Sequence, residues 1–199
     1  MSDDSRALTR DARPRDDDGG VLYPIGVAIL VFVLILGFAW LPRVFRAHEP
    51  ESVGKPAPEF SLPVLAQGAA IKAPDAANLA SKDFAGKAVV LDFWASWCGP
   101  CKAEMPIIDS VARRYASKDV MVVGVNTSDD EDNARAFLAG RALAFPAVSD
   151  GQNEVANKFG VVNLPTLVVI SKSGKVSAMR VGVTDASELE HLIDRALAQ

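Results

Sequence analysis

From Val21 to Leu41 the chain runs VLYPIGVAILVFVLILGFAWL, with no charged residue anywhere in the stretch. As a helix rising 1.5 Å per residue, the run spans about 30 Å, the hydrocarbon thickness of a bilayer. Pro24 stands near its start, where a helix tolerates proline. Tyr23 and Trp40 stand at its two ends, where interfacial aromatics sit. A core helix of a globular domain would carry a polar face, and none is seen. A cleaved signal peptide would have a shorter apolar region and a small-residue cleavage site, for which Gly37-Phe38-Ala39, embedded in the run, is a poor fit. The run therefore reads as one retained transmembrane helix over residues 21–41, and it forces the rest of the chain to fold apart from it. Residues 1–20 are rich in Asp, Arg and Gly and form an expected disordered tail. Residues 42–57, with Pro42, Pro50 and Pro56, form an expected linker, and residues 58–199 an expected folded domain.

Arg6, Arg10, Arg13 and Arg15 precede the span, whereas Arg43, Arg46 and Lys55 follow it. This bias places the N-terminus on the cytoplasmic side by a narrow margin. The folded domain then lies outside the cytoplasm. A net charge of −4 leaves no basic footprint for nucleic acid.

Within the domain, strand-like and helix-like segments alternate. Glu59 to Leu62 alternates as a short half-buried strand would, and the Ala-, Gly- and Pro-rich residues 66–82 read as a loop or irregular hairpin. Ala88 to Phe93 (AVVLDF) and Val120 to Val125 (VMVVGV) are near-continuous apolar runs, the pattern of strands buried on both faces. Between them, Ile107, Ile108, Val111 and Tyr115 fall at helical spacing, in a helix expected to reach about Ser117 and to kink at Pro106. Ser128 to Asp132 reads as a capping serine with acidic residues on a helix start rather than as a cation site. Helices over 131–140 and Asn153 to Phe159 flank a short strand from Pro146 to Val148, and Gly160 ends the second helix. Strands Thr166 to Ile170 and Val176 to Val181, joined by a turn with Gly174 at the bend, precede an amphipathic helix over Ala186 to Ala198. The order implies an α/β sandwich with a mixed central sheet.

Both cysteines of the chain, Cys98 and Cys101, stand in Trp97-Cys98-Gly99-Pro100-Cys101. A structural disulfide stabilises mainly by closing a long loop of the unfolded chain, and a bridge between these two closes almost nothing. The pair therefore reads as a redox couple. Half a zinc site and two unreactive thiols are the competing readings. Zinc takes about four ligands, and the two histidines, His48 and His191, lie far away in sequence. Neither metal nor cofactor is expected.

Cys98 follows the central strand and opens a helix, where the helix dipole and free backbone N–H groups favour thiolate over thiol. It is the expected nucleophile, and Cys101, one turn deeper, the expected resolving thiol. Resolution needs a proton acceptor. Asp92, a carboxylate inside an apolar strand, is one candidate, with a pKa that burial should raise. Glu104, three residues beyond Cys101 and on reach of the same helix face, is the other. Leu164-Pro165-Thr166 stands directly before a strand, where proline is common on local grounds alone.

Phe93-Trp94-Ala95-Ser96-Trp97-Cys98-Gly99-Pro100-Cys101-Lys102 resembles the active site of thioredoxins. Asp92 matches that family's buried aspartate, Pro106 its helix-kinking proline, and Leu164-Pro165-Thr166 its cis-proline loop. Val53 to Leu62 resembles the N-terminal extension of redoxin-type domains. Cys101-Lys102-Ala103-Glu104-Met105-Pro106 resembles the motif of the membrane-anchored TlpA/ResA-like branch, whose glutamate is functional, and the segment from about Asp129 to Phe159 resembles that branch's insertion. The resemblance spans residues 53–197. It implies a thioredoxin-like three-layer sandwich, preceded here by the transmembrane helix. It also implies substrate contacts from Trp97, Leu164, Pro165 and Thr166, and exchange with protein dithiols and disulfides. The setting implied is the inner, cytoplasmic membrane, with the redox domain extracytoplasmic or periplasmic. Apocytochrome c is an implied substrate and a membrane electron donor an implied upstream partner. Two departures stand out: residues 66–80 are longer and richer in Ala than the usual hairpin, and Gly99-Pro100 is the thioredoxin dipeptide. Peroxiredoxins share the redoxin-like N-terminal stretch, but their reactive cysteine sits in a Pro/Thr-bearing loop that WASWCGPC lacks. A non-catalytic chaperone or scaffold on the same fold is the third reading; copper carriers of this fold use a wider cysteine spacing and a histidine.

Overall fold

The structure, a computed structural model, describes residues 22–44, 52–74 and 77–199. The tail expected over residues 1–20, with Arg6, Arg10, Arg13 and Arg15, lies outside the described residues, as do Arg46 and His48. The chain divides into two units, Met1–His48 and Glu49–Gln199. In the first, an α-helix (α1) covers Leu22–Val44. Its side chains are described for residues 25–38, which leaves those of Tyr23, Pro24, Trp40 and Arg43 outside. Ile29, Phe32, Leu34 and Phe38 are all exposed. Among the described residues no helix is long and apolar enough to cross a membrane.

The second unit is built on one seven-stranded mixed sheet in the order β2-β1-β5-β4-β3-β6-β7. Its strands are β1 (Ser61–Ala66), β2 (Asn78–Ala80), β3 (Ala88–Trp94), β4 (Val120–Thr127), β5 (Ala147–Asp150), β6 (Thr166–Ile170) and β7 (Val176–Val181). The helices are α2 (Gly99–Tyr115), α3 (Glu131–Leu138), α4 (Glu154–Phe159) and α5 (Ala186–Leu197). β3 is buried along its whole length because it is central, with β4 parallel on one side and β6 antiparallel on the other.

Adjacent residues of β3 point to opposite faces, and their neighbours identify the layers. The Trp94 ring packs on Phe137 of α3, with centroids 5.4 Å apart, and Phe93 packs on Phe159 of α4 at 6.0 Å. α2 joins α3 on the Trp94 face, since Lys102 lies over the same Phe137 ring. α5 packs against α2, and the Tyr115 hydroxyl donates to Asp194 Oδ1 at 2.9 Å. The result is three layers: α2, α3 and α5, then the sheet, then α4.

Three sequence expectations need correction. Residues 54–57 belong to the domain rather than to a linker: the Gly54 amide donates to Val176 O at 2.8 Å and the Ala57 amide to Gly174 O at 2.9 Å, so this stretch is held at the start of β7. The first strand is Ser61–Ala66 rather than 59–62, because it is pinned by β2 on one side and β5 on the other. The irregular hairpin expected over residues 66–82 is present: the segment contains β2, which pairs antiparallel with β1. The cap of α3 is Asp130, whose Oδ1 accepts from the amides of Asp132 and Asn133, and not Ser128.

Candidate active site

Register gathers the functional segments at one end of the sheet. Trp94 pairs with Asn126, Thr127 with Asp150 and Phe93 with Thr166. The turns that leave β3, β4 and β5, and the segment that enters β6, therefore meet at the carboxyl ends of the parallel strands, where open α/β sheets place their sites.

Cys98 is the N-cap of α2, with φ −79° and ψ 106°, and its Sγ accepts from the Cys101 amide at 3.2 Å. Gly99 and Pro100 follow as the first helical residues, positions where a missing N–H is harmless. Cys98 and Cys101 form a disulfide, with Cα atoms 5.3 Å apart. Both are buried, Cys98 4% exposed and Cys101 2%, while Trp97 beside them is 62% exposed. Reduction of the bridge leaves Cys98 Sγ against the positive end of a long helix, which favours its thiolate.

Asp92 is buried in β3, between Gly124 and Leu167 of the neighbouring strands. Burial, and then the negative charge of Glu104, push its carboxyl well above the usual range. Glu104 lies on the buried side of α2, three residues past Cys101. Burial raises its pKa as well, and the Thr184 amide, donating to Oε1 at 2.7 Å, pulls it part of the way back. Among the described residues neither Asp92 Oδ1 nor Glu104 Oε2 has a hydrogen-bond partner. Both carboxyls therefore favour the neutral form more than a free carboxyl does, and the charge of Glu104 adds to this at Asp92.

The Leu164–Pro165 peptide is cis. Pro165 O accepts from the Gly182 amide at 2.9 Å, and Thr166, fully buried, donates from its hydroxyl to Asn163 O at 2.7 Å. Thr166 sits in register with Phe93, which sets this loop beside the strand end that leads to the cysteines.

A second set of residues has no counterpart in the sequence reading. Asp129 accepts from the Ser96 amide at 2.5 Å, the Ser96 hydroxyl at 2.9 Å, Asn126 Nδ2 at 2.8 Å and the Asp130 amide at 3.0 Å. Burial alone would raise its pKa, yet these donors outweigh it and hold the carboxyl below the usual range. The Trp97 indole donates to Ser128 O at 2.8 Å. Ser128 adopts the left-handed region at φ 54°, uncommon for a residue with a side chain. Asn153 Oδ1 holds it there by accepting from the Ser128 amide and the Thr127 hydroxyl, each at 2.6 Å. The β4–α3 turn thus grips the two residues that precede Cys98. In sequence the only trace is the acidic run after Ser128, which local capping already explains.

Among the described residues there is no cluster of His, Cys, Asp and Glu able to hold a metal ion. Fold and site together define a thioredoxin-fold protein with a CxxC pair that closes a disulfide at the start of a helix. The Redoxin family pattern matches residues 52–193, and the chain belongs to that family. It is 32% identical to the thiol-disulfide oxidoreductase ResA of Geobacillus thermodenitrificans over 167 residues, 83% of this chain and 91% of that one. It is 30% identical to ResA of Bacillus subtilis over 159 residues, 80% of this chain and 84% of the relative. Among solved structures it resembles a DsbE-type thiol:disulfide interchange protein of Chlorobium tepidum, with a TM-score of 0.64 and 33% identity over 73% of this chain and 97% of that one. MTB dsbF, solved in mixed oxidised and reduced forms, gives a TM-score of 0.59 at 26% identity over 69% of this chain and 94% of that one. The chain is a thiol-disulfide oxidoreductase of the ResA/DsbE type.

Proposed function

We propose that this chain is a membrane-anchored, extracytoplasmic reductant of protein disulfides. Cys98 at the N-cap of α2, bonded to a buried Cys101, is the observation that carries this reading. The Cys98 thiolate attacks one sulfur of a substrate disulfide. The substrate's S–S bond breaks, a mixed disulfide to Cys98 forms, and the leaving thiolate takes a proton. Cys101 then gives its proton to the Asp92–Glu104 pair and attacks Cys98 Sγ. The mixed disulfide breaks, the second substrate sulfur leaves as a thiolate that takes up a proton, and the Cys98–Cys101 bridge closes. Two electrons have passed to the substrate, and a membrane donor restores the dithiol.

Trp97 and the half-buried Leu164 offer the surface that receives the substrate chain, while the buried Pro165 and Thr166 shape the cis-peptide loop behind it. The uncharged run of residues 21–41, with four arginines before it and fewer basic residues after it, is what favours an anchor in the inner membrane with the N-terminus cytoplasmic and the redox domain periplasmic. The resemblance to the TlpA/ResA-like branch makes apocytochrome c the substrate to test first. Cys101→Ala tests the reading, since it removes the resolving thiol and leaves Cys98 in a stable mixed disulfide that mass spectrometry identifies. A variant that accumulates no adduct on Cys98, or a Cys98→Ala variant that still reduces disulfides, refutes it.

A further inference from the structure

Beside the cysteines, α2 and α3 enclose an open groove of about 460 Å³ whose walls include Lys102, Pro106, Phe137 and Arg141. It starts one turn from the nucleophile, as the Lys102 amide donates to Cys98 O at 3.2 Å. The half-buried Phe137 ring carries two cations: Arg141 Cζ lies 4.0 Å and Lys102 Nζ 5.6 Å from its centroid. Arg141 also donates to Phe137 O, so its guanidinium is fixed twice by one residue. A guanidinium has five N–H donors in a rigid fork, and one fixed in advance loses little entropy on meeting a carboxylate.

The groove's one carboxylate is already committed. Asp109 pairs with Arg113 at 3.0 Å and accepts from the Ala144 amide at 2.5 Å. Arg113 in turn donates to Ala142 O. Among the described residues neither Lys102 nor Arg141 forms a salt bridge. A chain of net charge −4 thus presents two cations without a carboxylate partner, on a partly apolar floor, one helical turn from its reactive sulfur.

We propose that this groove receives an acidic segment of the substrate protein, flanking the disulfide to be reduced, and so selects among substrates by charge. The proposal rests on the reductant reading above. Rim charges act mostly through association rate and its dependence on salt. The expected preference is roughly tenfold, at the low end of electrostatic steering.

The test uses the reduced full chain and two synthetic peptides with the same disulfide, one flanked by Asp and Glu, the other by Asn and Gln. Wild type should exchange with the acidic peptide roughly tenfold faster at low ionic strength, and the ratio should fall toward one in about 1 M salt, where charges are screened within ~3 Å. Arg141→Glu should bring the ratio to one or below at low salt. Equal rates for wild type, or a preference that persists in Arg141→Glu, overturn the groove inference and leave the reductant reading intact. Exchange with neither peptide overturns both. Retention on vesicles of anionic phospholipid that is lost in Arg141→Glu, without a peptide preference, would assign the groove to a membrane surface and overturn the proposal.

Discussion

Removal of the Asp129 carboxylate tests how the redox loop is held. Asp129→Ala deprives four donors of their acceptor: the Ser96 amide and hydroxyl, Asn126 Nδ2 and the Asp130 amide. Asn126 is fully buried, so its orphaned amide costs about 1–3 kcal/mol. Ser96 and Asp130 are reachable by water and lose only the net value of their bonds, about 0.5–1.5 kcal/mol each and not additively. The expected total is about 3 kcal/mol, equivalent to a fall in Tm of roughly 6–12 °C for a domain of this size. The depressed carboxyl adds a pH signature. Its stabilisation is complete above the unfolded pKa and is lost as pH falls through the lower folded value. Wild type should therefore lose stability below about pH 4, and Asp129→Asn should lose less over the same interval. Denaturant melts at pH 7 and pH 3 measure both terms, and stopped-flow exchange with a model disulfide reports whether Trp97 and Cys98 stay aligned. A variant within about 0.5 kcal/mol of wild type at pH 7, with unaltered exchange, would refute the role given to this turn.

Asp92→Asn should stabilise the protein at pH 7 by about 1–2 kcal/mol, the usual gain when a functional compromise is relieved. Its raised pKa makes the folded state hold a proton that the unfolded chain has released, so wild-type stability falls as pH rises from the ordinary carboxyl range toward the folded pKa. Melts across pH 4–8 should show that limb flattened in the variant. Resolution of the mixed disulfide should slow in the same variant, read as persistence of the adduct in rapid-quench samples. Glu104→Gln keeps an acceptor for the Thr184 amide and should fold normally, whereas Glu104→Ala strands that buried donor and should cost about 1–3 kcal/mol. Rate and stability should separate between these two variants, and equal melts would count against the bond. Gly124→Ala puts a Cβ 3.0 Å from Trp94 Nε1 and 3.2 Å from Phe145 Cε2, both deeply buried, and should lower stability by about 1–3 kcal/mol in a thermal melt.

What could be read without coordinates follows how each interaction is encoded. β3, β4 and β6 are buried on both faces, so they are written as unbroken apolar runs and stand out at once. The cysteines and Asp92 stand out because their type is anomalous where they stand, paired thiols at a helix start and a carboxyl inside an apolar run, whereas Glu104 is marked only by its spacing from Cys101 and by the motif resemblance. The bounds of β1 are hidden because it contains Pro63 and takes its register from β2, across an irregular loop, and from β5, far along the chain. The grip on Ser96 and Trp97 was hidden for the same reason. Asp129 lies 33 residues from Ser96, and Asn153 25 from Ser128. No local pattern distinguishes such carboxylates and amides from ordinary helix caps.

Residues 127–130 do two jobs at once: they steady the peptide ahead of Cys98, and they start the helix that bears Phe137. The inserted segment from α3 to α4 is therefore not a cassette that can be exchanged at will. A chimera joined ahead of Thr127 imports a foreign turn and retunes the reactive sulfur along with the docking face. One joined after Asp130 that also retains Asn153 keeps the native turn, so that recognition alone is transplanted. The boundary chosen for a graft, four residues wide, decides whether partner choice and chemistry travel together.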